Sequence, residues 1–220
     1  MTKSFSDLNK TMQENLKKEA TFENGIKNLL ELRNDLMAVF ESFFCDLSSQ
    51  GFYAFPFPKS KGNDCTTIAW SIYHVFRIED IVCNSLIQNC DQVFFAKDFQ
   101  HRLNSSIITT GNELSVQEII DFSKQLNIQE LLVYAKEVKE TSEKMILNLS
   151  LKKTKSKISD EKKDLLKSLK VVSEEESSIW LIDYWCNKNI KGLLQMPFSR
   201  HWIMHADACS KIKAKLENKK

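Results

Sequence analysis

Apolar residues recur at threes and fours along much of this chain, which is the spacing of helical faces. From Phe22 to about Leu47 the positions Ile26, Leu29, Leu30, Leu36, Met37, Val39, Phe40, Phe43, Phe44 and Leu47 form one broad stripe. The pattern predicts a long amphipathic helix there. Residues 4–19 are polar and amphipathic and predict a lead-in helix within residues 1–21. The stretch SSQGFYAFPFPKSKGND (48–64) carries two prolines and two glycines and reads as a loop. Its aromatics, Phe52, Tyr53, Phe55 and Phe57, are expected to fold back over the helices.

A second helix is expected from Asp64 or Thr66, both good N-caps, to about Ile87. Residues 91–114 are mixed, with a short helix around 95–103 and a turn at TTGNE. Ser115 followed by Glu118 is a capping box that opens a short helix. Asn127 is placed to cap a third long helix over 128–149. A lysine-rich polar loop over 151–160 leads to a polar helix near 160–171. EESSIWLIDYWCN (175–187) is apolar enough for a buried helix. The last helix runs from FSRHWIMHADAC to the end, with Pro197 in its tolerant first turn. Four long apolar stripes must bury one another, so the expected fold is all-α: a four-helix bundle with additional short helices, in one domain over 1–220.

Composition agrees with this reading. Five glycines and three prolines in 220 residues leave little material for the turns of an all-β design. Net charge is +2, from 31 basic and 29 acidic residues, so no field favours nucleic acid or an anionic membrane. No apolar run approaches the ~20 residues that cross a bilayer. The six cysteines form no CxxC pair, and the N-terminal residues lack the apolar centre of a signal peptide. Reduced thiols in a cytoplasmic protein are expected. Cys83 and Cys90 are two turns apart and share a face, which packing explains as well as redox chemistry does.

Chemistry enters with RHWIMHADAC (200–209). His201 and His205 stand four apart, so in a helix their imidazoles project to one side. Trp202 occupies the place where a zincin has its general-base Glu, so a thermolysin-like protease mechanism is not supported. His74, in AWSIYHVFRIED, lies mid-helix in an apolar setting and is the third candidate ligand if the second and last helices are neighbours. His101 sits in a polar segment and is left out. Spacing alone leaves a metal site and a pair of packed core histidines both open.

Three stretches together resemble the DinB-like (DinB/YfiT) superfamily: IAWSIYHVFRIED (68–80), TTGNELSVQEIIDFSKQLNIQELLVYAKEV (109–138) and MPFSRHWIMHADACSKIKAKL (196–216). The similarity spans about residues 25–216. It implies a four-helix core holding a divalent metal on one histidine of the second helix and an HxxxH pair of the last, here His74, His201 and His205. Zn or Ni is the implied ion, with Fe or Mn as alternatives. The resemblance further implies hydrolase or thiol-transferase chemistry on a small molecule, with a low-molecular-weight thiol as a further cofactor. Helical bundles of this size often pair through one face, so a homodimer is also expected. The competing expectation is a non-catalytic stress-response module whose ligand the sequence does not name.

Around the histidines, Arg77 shares the face of His74 and is expected in an ion pair or beside a substrate. Glu79 is about 140° around the helix and a poor ligand. Asp80 and Asp183 are candidates to orient an imidazole from behind. Cys209 is ~12 Å along the axis from His201, too far for a shared ion. The aromatics Trp70, Tyr73, Trp180, Tyr184, Trp185 and Trp202 are expected mainly as core, with some walling a pocket.

Overall fold

The computed structural model describes residues 4–59 and 65–218, and among these the backbone is helical with no β-strand. The helices are α1 (Phe5–Asn15), α2 (Glu19–Asp46), α3 (Ser49–Phe52), α4 (Ile68–Asp80), α5 (Val93–Ala96), α6 (Phe99–Arg102), α7 (Val116–Gln125), α8 (Ile128–Leu147), α9 (Leu151–Thr154), α10 (Glu161–Ser168), α11 (Glu176–Cys186), α12 (Ile190–Leu194) and α13 (Arg200–Glu217). None is long and apolar enough to cross a membrane.

The caps explain several boundaries. Ser115 and Glu118 form the reciprocal capping box at the start of α7, and Asn127 Oδ1 accepts from the Glu130 amide at the start of α8. Thr67, rather than Thr66, caps α4, its hydroxyl accepting from the Trp70 amide at 3.1 Å. Asp64, the other expected cap, lies outside the described residues. Beyond Asp80 the helix widens into a π-helical segment, Ile81–Gln88, and Asn89 closes it in the left-handed region at φ 59°. Asn tolerates that conformation better than other non-glycine residues.

Elsewhere the expectations need correction. The loop after α2 contains one helical turn, α3, and its Phe52 is buried against Phe44, with ring centroids 4.8 Å apart. One helix near 95–103 resolves into two single turns, α5 and α6. The lysine-rich segment is not simply a solvated loop, because Leu151 and Thr154 of α9 are buried. Residues 175–187 are helical but only half-buried: Leu181, Ile182 and Trp185 face inward, whereas Trp180 is 49% exposed. Pro197 precedes α13 instead of lying in its first turn, since residues 195–199 form turns.

Among the long helices, α4 packs against α8 and α13, and α2 packs against the same two. Two apolar clusters fill the interior. One gathers Leu36, Phe40, Phe76, Tyr134 and Trp202; the other gathers Leu29, Ile81, Ile146, Trp185 and Phe198. Three of the long helices pass from one cluster to the other beside a buried polar residue. Arg33 does this on α2, Glu79 on α4 and Ser142 on α8. The Arg33 guanidinium meets Glu79 through two contacts of 2.7 and 2.9 Å, and both side chains are fully buried. Ser142 donates to Glu79 at 2.6 Å, and Trp202 of α13 donates its indole N–H to Glu79 at 2.7 Å. Arg33 also donates to the Phe198 carbonyl at 3.1 Å, just before α13. One ion pair thus ties α2, α4, α8 and α13 together, next door in sequence to His201.

Candidate metal centre

His74 comes from the middle of α4, and His201 and His205 come from the first two turns of α13. The contact between these helices brings the three rings together, although 127 residues separate His74 from His201. One ring nitrogen from each lies within 4.8 Å of the others. The ring centroids are 5.0 Å apart for His74–His201 and His74–His205, and 4.6 Å apart for His201–His205. All three are buried.

Each imidazole has a distinct environment. His74 Nδ1 sits 2.8 Å from the Thr110 carbonyl oxygen. A carbonyl only accepts, so this nitrogen carries the proton and Nε2 keeps its lone pair. Trp70 stacks on the other side of the ring, 4.5 Å between centroids and 10° from parallel, and its indole N–H donates to the Gly111 carbonyl at 3.2 Å. The Nδ1 atoms of His201 and His205 are buried and have no hydrogen-bond partner among the described residues. A buried polar atom without a partner is costly. Two of the three rings thus carry a buried nitrogen with no partner, His74 keeps a free Nε2, and one ring nitrogen of each converges, so the residues present fit a metal ion.

Electrostatics point the same way. Burial pushes the His74 pKa down to about 4, although the Thr110 carbonyl opposes the shift. Burial lowers His201 and His205 well below the usual histidine range, and the neighbouring imidazoles add to it. All three rings are therefore neutral at pH 7, the form that ligates metals.

A pocket of about 270 Å³ opens onto the three rings. Its walls include Trp180, Tyr184 and Trp185 of α11, Met196, Met204 of α13, and Asn112. A larger hollow of about 570 Å³ lies between the start of α2 and the end of α8, but no histidine or cysteine lines it.

The segment before α7 is the part of the site that the sequence pattern did not expose. Its carbonyls accept, in turn, from polar side chains of α4. Ile107 and Thr109 accept from the Tyr73 hydroxyl, both at 3.1 Å, Ile108 accepts from Arg77 at 2.6 Å, Thr110 from His74 and Gly111 from Trp70. TTGNE is recognisable as a turn, and a glycine in it signals positive φ, realised at 75°. Nothing in the residue types says that its carbonyls will grip another helix.

Other expected participants are elsewhere. Asp80 accepts from the Val93 and Phe94 amides at 2.9 Å each, and from the Tyr134 hydroxyl. Asp183 is exposed and pairs with Lys163. Neither carboxylate orients an imidazole; the Thr110 carbonyl does that for His74. Arg77 is fully buried, 3.4 Å from Asp80 and over the Phe94 ring at 4.1 Å, which makes it a structural ion pair. Glu79 is likewise committed to Arg33. Burial drives the Cys209 thiol up to about 12, which disfavours the thiolate a ligand would need. His101 is exposed and bonded to Asp98.

No family model fits the chain, and no curated protein is similar to it. The likeness to the DinB-like superfamily gains nothing from either comparison.

Proposed function

We propose that the protein is a metal-dependent enzyme of the DinB-like type, with His74, His201 and His205 holding one divalent cation. The observation that carries this reading is the convergence of three buried neutral imidazoles, two of them with an unpartnered Nδ1, at the floor of a pocket. The ring of contacts α2–α8–α4–α13 supports the four-helix bundle of that family, with the remaining helices as decoration.

A divalent ion on three neutral ligands would supply Lewis acidity, lowering the pKa of water or of a thiol in its open coordination positions. The donor set suits Zn or Ni, with Fe or Mn as alternatives. The chain's own residues do the rest. Thr110 fixes the His74 tautomer, Trp70 holds its plane, and the Glu79–Trp202 bond sets the rotation of α13 beside His201. The aromatic walls of the pocket limit water. Hydrolysis or thiol transfer on a small molecule follows as the reaction class, in a cytoplasmic setting. A low-molecular-weight thiol would serve as co-substrate, and a homodimer is the proposed assembly.

The test is turnover. Protein loaded with Zn, Ni, Fe or Mn is assayed against a panel of hydrolysis and thiol-transfer substrates, beside chelator-treated protein and His201→Ala. Activity in the loaded wild type alone is expected. Stoichiometric metal with no turnover on the panel would favour the non-catalytic binding module.

A further inference from the structure

The pocket above the three histidines has a composition that selects its occupant. Among the described residues that line it, none is Asp, Glu, Lys or Arg. Three aromatic side chains, Trp180, Tyr184 and Trp185, come from one helix, and two thioethers, Met196 and Met204, stand among the other walls. Apart from the histidines and the Tyr184 and Trp indole polar atoms, the polar group is Asn112. Its Oδ1 already accepts from the Thr110 hydroxyl at 2.7 Å, so the amide N–H₂ is what it offers a ligand. Lys188 lies over the Tyr184 ring at 4.2 Å but is not part of the lining.

These facts set size and charge together. A volume of about 270 Å³ lies just below the usual range for drug-sized ligands and suits one substituted aromatic ring. A carboxylate or phosphate on the body of the ligand would be desolvated with no cation among the walls to meet it, which is unfavourable. Flat apolar groups gain both buried area and ring contacts there, and thioethers adapt to their edges. Trp180, 49% exposed and packed edge-to-face on Tyr184 at 5.7 Å between centroids, stands where ligand enters from solvent.

We propose that this pocket binds a small molecule with an uncharged aromatic or similarly flat apolar body, one donor atom directed at the three histidines, and Trp180 and Tyr184 as its specificity-determining walls. The donor atom rests on the metal reading above; the preference for an uncharged body does not. Polyanionic thiols are poor ligands on this account, and a single thiol, hydroxyl or carbonyl on an aromatic frame is a good one.

The experiment titrates cobalt-loaded protein with benzyl mercaptan and with mercaptosuccinate, following the thiolate–cobalt charge-transfer band. Benzyl mercaptan is expected to bind at least about tenfold tighter, the scale of burying one apolar ring. Trp180→Ala and Tyr184→Ala should each reduce that preference severalfold while cobalt affinity stays within twofold. Equal binding of the two thiols, or an undiminished preference in both variants, overturns the proposal. If cobalt does not bind, the metal reading fails by itself. Metal-free ¹⁵N-labelled protein is then titrated with benzyl alcohol and with succinate. Movement of the Trp180 indole N–H resonance by benzyl alcohol alone upholds the pocket preference, and movement by neither or by succinate overturns it.

Discussion

Trp202 donates its indole N–H to Glu79 Oε2 at 2.7 Å, across 123 residues of sequence. The same carboxylate is held by Arg33 through two bonds, and the guanidinium lies over the Trp202 ring at 4.4 Å. The residue next to His201 is therefore fixed by a buried ion pair, and the three-histidine cluster inherits its geometry from it.

That relationship gives the first prediction. Glu79→Ala leaves the Arg33 charge buried without its main partner and should cost about 3–5 kcal/mol in urea denaturation. Glu79→Gln keeps the shape and an acceptor and should cost less. In both variants metal affinity should fall although Glu79 is not one of the candidate ligands. An alanine variant within 0.5 kcal/mol of wild type would contradict the role given to this pair.

The second prediction concerns the clamp on His74. Gly111 has φ 75°, and a Cβ there would stand 2.8 Å from Trp70 Nε1. Gly111→Ala is strained by conformation and by contact, and should destabilise by about 1–3 kcal/mol. It should also displace Trp70 from the His74 ring, read as a change in tryptophan fluorescence and weaker metal binding. A variant with unchanged melting temperature and metal affinity would show that the segment does not orient His74.

The third is a pH dependence of the metal-free protein. The unfolded chain takes protons on these histidines below about pH 6.5, whereas the folded rings resist, His74 down to about pH 4. Folded pKa values lie below unfolded ones, so the unfolded state binds more protons and stability falls as pH drops from 6.5. The slope is at most about 1.4 kcal/mol per pH unit for each ring. Chelated protein is compared at pH 7 and pH 5 with a His74→Gln, His201→Gln, His205→Gln variant. Wild type should lose more stability; equal losses would contradict the assignment of neutral buried rings.

Much of the helical pattern is legible in the sequence because amphipathic stripes and caps are local. The Phe22–Leu47 stripe, the Ser115–Glu118 box and Asn127 each depend on residues a few positions apart. The His201–His205 pair is legible for the same reason. What the sequence hides is non-local or carried by backbone. The Arg33–Glu79–Ser142–Trp202 knot joins four helices, and each member alone looks like an ordinary surface or core residue. The Thr110 carbonyl has no side-chain signature at all. Asp80 and Asp183 read as orienting carboxylates in the sequence because residue type is visible there and direction is not. The π-helical widening after Asp80 likewise has no periodic signal distinct from the helix it extends.

The central claim is that His74, His201 and His205 hold one ion. Its most direct test is X-ray diffraction with anomalous scattering at the metal edge, on crystals of protein purified without nickel affinity and supplied with zinc. One anomalous peak is expected among the three imidazoles, with metal–nitrogen distances of about 2.0–2.1 Å to each. Three well-ordered rings with no peak between them, or zinc bound stoichiometrically elsewhere, would contradict the account.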